Sequence, residues 1–227
     1  MNFRKALPNL FTSLNLLSGC IGIVFITSGN LHYAPYFVWV GGFFDFLDGF
    51  SARLLKVSSP IGKELDSLAD MVTFGVLPSF VVYEMLNPLT DGWLPYVGFL
   101  IAIFSALRLA KFNVDTLQSE VFIGMPVPAN AVFFSGLTMF TGTGFEQSIL
   151  SLPGLLAITV LFSLTMVSPL KFIAIKFKSL SWNGNEFKYV FLLGSAIILL
   201  IGGVEAASAV IIWYILTSLL GNAFSKL

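Results

Sequence analysis

From residue 10 to residue 224 the sequence is a succession of apolar stretches broken by short polar turns. Each stretch approaches the roughly 20 residues that a helix needs to cross a bilayer. A soluble interior has no room for so much apolar side chain, since 24 of the 227 residues are Phe and the mean hydropathy is +0.89. Inside lipid, lone hydrophobic strands would leave backbone groups unbonded, so the spans must be helices. The expected class is therefore all-α, a polytopic integral membrane protein.

Helix-length segments fall at about 10–28, 34–52, 65–86, 93–113, 125–142, 149–168, 188–203 and 206–224. Turn chemistry separates them, in "SGNLHYAP", "KVSSPIG", "NPLTDG", "TGTGFEQS" and "SWNGNE". About eight spans place both termini on one side. With that side cytoplasmic, Arg4, Lys5, Arg53, Lys56, Lys63, Arg108, Lys111, Lys171, Lys176, Lys178, Lys188 and Lys226 are all inner, which is all 12 of the cations. The outer side holds Glu84, Asp91, Glu146 and Glu205, so the count agrees with the positive-inside rule. The expected location is the cytoplasmic (inner) membrane, multi-pass. The first apolar run follows Arg4 and Lys5 and the chain re-enters the membrane at once, so it reads as a retained helix rather than a cleaved signal. No repeat, low-complexity tract or linker divides the chain, which reads as one domain over 1–227. Cys20 is the single cysteine, which excludes a disulfide framework and suggests a small buried hydrophobe.

Against this background, "DFLDGFSARLLKVSSPIGKELDSLAD" at 45–70 is anomalous, because it carries Asp45, Asp48, Asp66 and Asp70 in a chain only 11% charged. Asp45 and Asp48 are spaced i,i+3 at the inner end of the second span. Asp66 and Asp70 are spaced i,i+4 near the start of the third. Each pair projects from one helix face, and the short loop with Pro60 and Gly62 can bring the two faces together. Four anions in so small a space call for a divalent cation. Oxygen-only ligands select Mg²⁺, Mn²⁺ or Ca²⁺ over zinc, and a pair of such ions suits attack on phosphorus. Ionisable residues at membrane depth are functional by default, whereas Glu64 reads as a solvated acid in the loop. Gly49 and Ala52 leave room beside Asp48 for a flat base or a diphosphate, and Arg53 adds a cation at the rim.

The spacing Asp45-x-x-Asp48-Gly49-x-x-Ala52-Arg53, eight residues, then Gly62-x-x-x-Asp66-x-x-x-Asp70, resembles the full signature of the CDP-alcohol phosphatidyltransferase family. Further stretches resemble its serine-using branch, the bacterial-type CDP-diacylglycerol–serine O-phosphatidyltransferases (phosphatidylserine synthases). They are "PNLFTSLNLLSG" (8–19), "GKELDSLADMVTFGVLPS" (62–79), "ALRLAKFN" (106–113), "FIGMPVPAN" (122–130) and "MVSPLKF" (166–172). The last two helices are similar only in a generic way.

The resemblance implies transfer of the phosphatidyl group of CDP-diacylglycerol to the hydroxyl of L-serine, with release of CMP, by a homodimer using two divalent cations. It implies that Asp45 and Asp66 bridge both ions, that Asp48 completes the nucleotide-side site and Asp70 the acceptor-side site, and that Asp70 is the general base. Gly49, Ala52, Arg53 and Gly62 fall on the cytidine side, joined by Thr12 and Asn15 of the first helix. Arg108 and Lys111 are candidates for holding a phosphate or the serine carboxylate. Lys111 stands where the branch more often has Arg, and it keeps the charge without the bidentate fork.

Other features carry less. His32 lies across the membrane from the carboxylates. Lys171, Lys176 and Lys178, beside Trp182, read as a solvated inner loop, with contact to anionic headgroups as the alternative. "GTG" at 142–144 lacks the strand and helix of a nucleotide loop, and "NEF" at 185–187 is no glycosylation site. The signature does not choose the acceptor, which could be glycerol 3-phosphate, inositol phosphate or choline in place of serine. A divalent-cation transporter is the rival of another class. Its site is expected near the bilayer midplane in related halves, and the second half has no matching acidic pair.

Overall fold

The computed structural model describes residues 3–114, 122–140, 144–175 and 181–224. It is all-α apart from one pair of two-residue strands. The elements are α1 (Phe3–Thr27), α2 (Ala34–Leu55), α3 (Pro60–Asp70), α4 (Leu77–Leu86), α5 (Leu100–Val114), β1 (Phe122–Ile123), α6 (Val127–Gly136), α7 (Phe145–Leu150), α8 (Leu152–Val167), β2 (Lys171–Phe172), α9 (Glu186–Gly202) and α10 (Ala207–Ala223). Lys176, Lys178, Lys226 and most of the "GTG" stretch lie outside the described residues.

Among the described residues, four apolar helical runs are long enough to cross a membrane: Ala6–Thr27, Pro60–Leu89, Leu94–Val114 and Glu186–Ala223. The last of these is α9 and α10 in series. They turn at Gly203, whose φ of +61 suits a residue without a Cβ, and they then pack on one another. Val127–Met139 and Leu152–Val167 are shorter apolar helices. Leu200 and Ile201 are each 84% exposed, which in a chain this apolar marks a lipid-facing surface. Cys20 is exposed, contrary to the buried position expected for it. It continues the outward stripe of Leu17 and Val24 on α1.

The third span begins five residues before the expected position 65, because Ser59 caps it. The Ser59 hydroxyl accepts from the Gly62 N–H at 2.9 Å, and Pro60 occupies the first turn, where its missing N–H costs nothing. α2 ends just before this with Lys56 in the left-handed conformation, φ 53, which turns the chain back. From Pro60 the helix continues unbroken to Leu86 through a π-helical stretch, Met71–Val76, immediately after Asp70. Such a widened turn shifts the helix register locally and often accompanies a functional site.

This long helix is the centre of the bundle, packing against α1, α2, α5, α6 and α8, with Phe74, Leu77, Val81, Val82 and Leu86 buried. α1 and α2 approach its π-helical stretch closely because they present glycine. A Cβ on Gly19 or on Gly41 would collide with the Thr73 side chain. The Thr73 hydroxyl donates to the Asn15 carbonyl at 2.9 Å, tying the three helices together one turn from Asp70.

Gly41→Val is expected to lower the melting temperature in detergent, at about 1–3 kcal/mol for overpacking. Gly42→Ala, whose nearest neighbour is the Phe74 ring at 3.9 Å, should melt as the wild type does. Equal melting of the two variants would contradict the close approach.

Candidate active site

The N-terminal part of α1, the C-terminal part of α2 and α3 converge on the acidic residues. Carboxylate oxygens of Asp45, Asp48 and Asp66 all lie within 4.8 Å of one another. At that spacing each pair of charges repels by about 3–4 kcal/mol at an effective dielectric near 20. The triad is therefore a donor set looking for a positive charge. Hard oxygen donors with no nitrogen or sulfur suit Mg²⁺, Mn²⁺ or Ca²⁺. The Asp66 Oδ1 atom is buried with no hydrogen-bond partner among the described residues, which fits a ligand atom awaiting its ion.

α1 orients the acids from the side. The Thr12 hydroxyl donates to Asp48 Oδ2 at 2.7 Å, and Asn15 Nδ2 donates to Asp70 Oδ1 at 3.0 Å. Thr12 and Asn15 are i,i+3 on one face of α1 and both are buried. Asp70 stands outside the close triad, one helical turn deeper than Asp66. The bond from Asn15 leaves its second oxygen available.

Beside the triad lies a cavity of about 260 Å³. Its lining includes Thr12, Asp48, Gly49, Ala52, Gly62 and Asp66, as the sequence suggested, together with Pro8, Asn9, Ser59 and Lys63, which it did not. A Cβ on Gly49 would meet no protein atom within 4 Å, so the missing side chain is open space. Two expected members fall elsewhere. Asn15 lies at Asp70 rather than in the cavity, because its amide is spent on that carboxylate. Arg53 is exposed and turns back along α2, its Nε donating to the Gly49 carbonyl at 2.9 Å.

Arg108 is 7% exposed, with its guanidinium 5.7 Å from the Phe112 ring centroid and 6.0 Å from that of Phe122. Its Nε and Nη2 have no hydrogen-bond partner among the described residues. Two contacts set its depth. Gly75 meets Ser105, and Asn113 Nδ2 donates to Ser67 Oγ at 2.8 Å. In this antiparallel register Arg108 is level with Val72, about 3 Å along the axis from Asp70 at 1.5 Å rise per residue. Lys111, one turn further, is exposed. Lys63 reaches across to α5 as well, donating to the Asn113 carbonyl at 2.8 Å.

Comparison with known proteins agrees with the motif. The model of a family described as CDP-alcohol phosphatidyltransferase matches residues 5–165. A CDP-diacylglycerol–serine O-phosphatidyltransferase of Bacillus subtilis is 40% identical over 171 residues, covering 73% of this chain and 89% of the relative. A protein of the same name from Helicobacter pylori is 34% identical over 198 residues, covering 84% of this chain and 80% of the relative. An archaetidylserine synthase of Methanothermobacter thermautotrophicus is 34% identical over 175 residues, covering 71% of this chain and 70% of the relative.

Thr12→Val should weaken Mn²⁺ binding about 10- to 100-fold, as loss of a ligand's orienting partner does. Titration followed by electron paramagnetic resonance measures this, and an unchanged affinity would count against the Thr12–Asp48 bond as a support of the site.

Proposed function

The chain belongs to the CDP-alcohol phosphatidyltransferase family, and on that premise we propose that it transfers the phosphatidyl group of CDP-diacylglycerol to the hydroxyl of L-serine, releasing CMP. The observation that carries this reading is the carboxylate triad bordering an open cavity at the end of apolar helices. Serine is supported by the names of relatives that differ in their lipid, since the bacterial and archaeal proteins all have serine in theirs.

In this reading the geometry supports a role for each group. The cytidine and its phosphates enter the cavity over Gly49 and Ala52, where no side chain obstructs the backbone, while the acyl chains stay in the bilayer. Two divalent cations held by Asp45, Asp48, Asp66 and Asp70 would supply charge stabilisation to the pyrophosphate and the departing CMP oxygen. Asn15 holds Asp70 Oδ1, leaving Oδ2 to take the proton of the serine hydroxyl as that oxygen bonds to the phosphorus carrying the lipid and the bond to CMP breaks. A carboxylate is a weak base for an alcohol, so proton transfer is concerted with attack and positioning supplies much of the rate. Arg108, about 3 Å in depth from Asp70 and with Nε and Nη2 unpartnered among the described residues, holds the serine carboxylate.

In this reading the chain is one domain with about eight spans and both termini in the cytoplasm. The carboxylates then open to the cytosolic side of the inner membrane, where serine and CMP exchange with water.

The test is CMP release by purified protein with CDP-diacylglycerol and Mn²⁺ or Mg²⁺, offered L-serine, glycerol 3-phosphate, inositol phosphate or choline as sole acceptor. Release with serine is expected, reduced about 10²- to 10⁴-fold in Asp70→Asn. Release with another acceptor alone would overturn the serine assignment, and no release with any would overturn the transferase reading.

Gly49→Val should leave the melting temperature nearly unchanged, because a Cβ at that position meets no protein atom within 4 Å, yet sharply weaken CDP-diacylglycerol binding. A Gly49→Val protein that binds the donor normally would place the nucleotide elsewhere.

A further inference from the structure

α10 lies beyond residues 5–165, the stretch matched by the family model, yet it reaches the surroundings of Arg108. Tyr214, Ser218 and Asn222, spaced i,i+4,i+8, form a polar stripe on a mostly apolar helix. All three turn onto the backbone around β2. The Tyr214 hydroxyl donates to the Ile173 carbonyl at 2.9 Å, the Ile173 N–H donates to Ser218 Oγ at 3.2 Å, and Asn222 Nδ2 donates to the Lys171 carbonyl at 2.6 Å. The Tyr214 ring also stacks on Phe172, with centroids 5.7 Å apart.

β2 in turn pairs antiparallel with β1, Phe122 opposite Phe172 and Ile123 opposite Lys171. A two-residue ladder cannot hold its own register. The α10 stripe supplies what the ladder lacks. Phe122 is one of the two rings flanking the Arg108 guanidinium, so a continuous set of contacts runs from α10 through β2 and β1 to that cation. Aromatic rings grip a guanidinium by its faces and leave its N–H edge free. Where that edge points depends on where the wall stands.

We propose that α10 is a positioning element of the acceptor site: Tyr214, Ser218 and Asn222 fix the β1–β2 wall that holds Arg108, and so set the affinity for an anionic acceptor. This rests on the reading of Arg108 as the group that holds the serine carboxylate. Phosphoryl transfer at Asp70 is served by α1, α2 and α3 and does not depend on the wall.

Steady-state kinetics of the full chain in detergent test this with three variants. Tyr214→Phe removes the hydroxyl and keeps the ring contacts with Phe172 and Phe191. Arg108→Lys tests the underlying reading. Ser208→Ala is the control on the same helix: its fully buried hydroxyl donates to the Phe133 carbonyl at 2.8 Å, away from the wall. Tyr214→Phe is expected to raise the serine KM about 3- to 10-fold, the cost of one lost hydrogen bond, with kcat and the CDP-diacylglycerol KM nearly unchanged. Ser208→Ala should lower the melting temperature without moving the serine KM. A normal serine KM in Tyr214→Phe beside a raised one in Arg108→Lys would overturn the clamp alone. A normal KM in both would overturn the reading of Arg108 and the clamp with it. An equal fall of kcat in Tyr214→Phe and Ser208→Ala, with no change in serine KM, would reduce α10 to a structural helix and overturn the proposal.

Discussion

Carboxylates drawn together out of water repel one another, and the packing around α1, α2 and α3 opposes that repulsion. α1 does so with two side chains one turn apart, Thr12 holding Asp48 and Asn15 holding Asp70. The bonds need α1 close to both partner helices. Gly19 on α1 and Gly41 on α2 permit this against Thr73, and the Thr73 hydroxyl closes the junction on the Asn15 backbone. The π-helical stretch from Met71 lies at this junction and places Thr73 within reach of α1 while Asp70 stays in register with the acids below it.

The position of the site follows from where these helices end. α2 turns back at Lys56 and α3 starts at the Ser59 cap, so the cavity opens at the end of the bundle while the body of each helix remains apolar. A substrate with a polar head and greasy tails meets both environments at this boundary. Arg108 extends the polar region sideways to the depth of Asp70. It is flanked by Phe112 and Phe122, and its Nε and Nη2 have no hydrogen-bond partner among the described residues.

Much of this was legible in the residue spacing. The i,i+3 and i,i+4 acids are local geometry, and any helix-loop-helix with this sequence would present them as facing pairs. Three of the four do meet closely, and Gly49 does face open space. Asn15 was harder, because its spacing from Thr12 gave the shared face but not the partner helix; a polar i,i+3 pair on an apolar span was the available signal for a pair of acids on two neighbours. Pro8, Asn9 and Lys63 line the cavity only because the first turns of α1 pass beside α3, which is a tertiary fact. The β1–β2 pair was invisible to periodicity, being two residues long. The stripe of Tyr214, Ser218 and Asn222 was visible, and in a membrane helix such a stripe signals a bonded neighbour.

Carboxylates that form a cation centre bordering a nucleotide cavity should be visible by anomalous diffraction from crystals grown with Mn²⁺ and CMP. The expected result is anomalous density among Asp45, Asp48 and Asp66 and beside Asp70, with the cytosine ring lying over Gly49. Mn²⁺ bound elsewhere, or CMP bound without approaching the triad, would contradict the account.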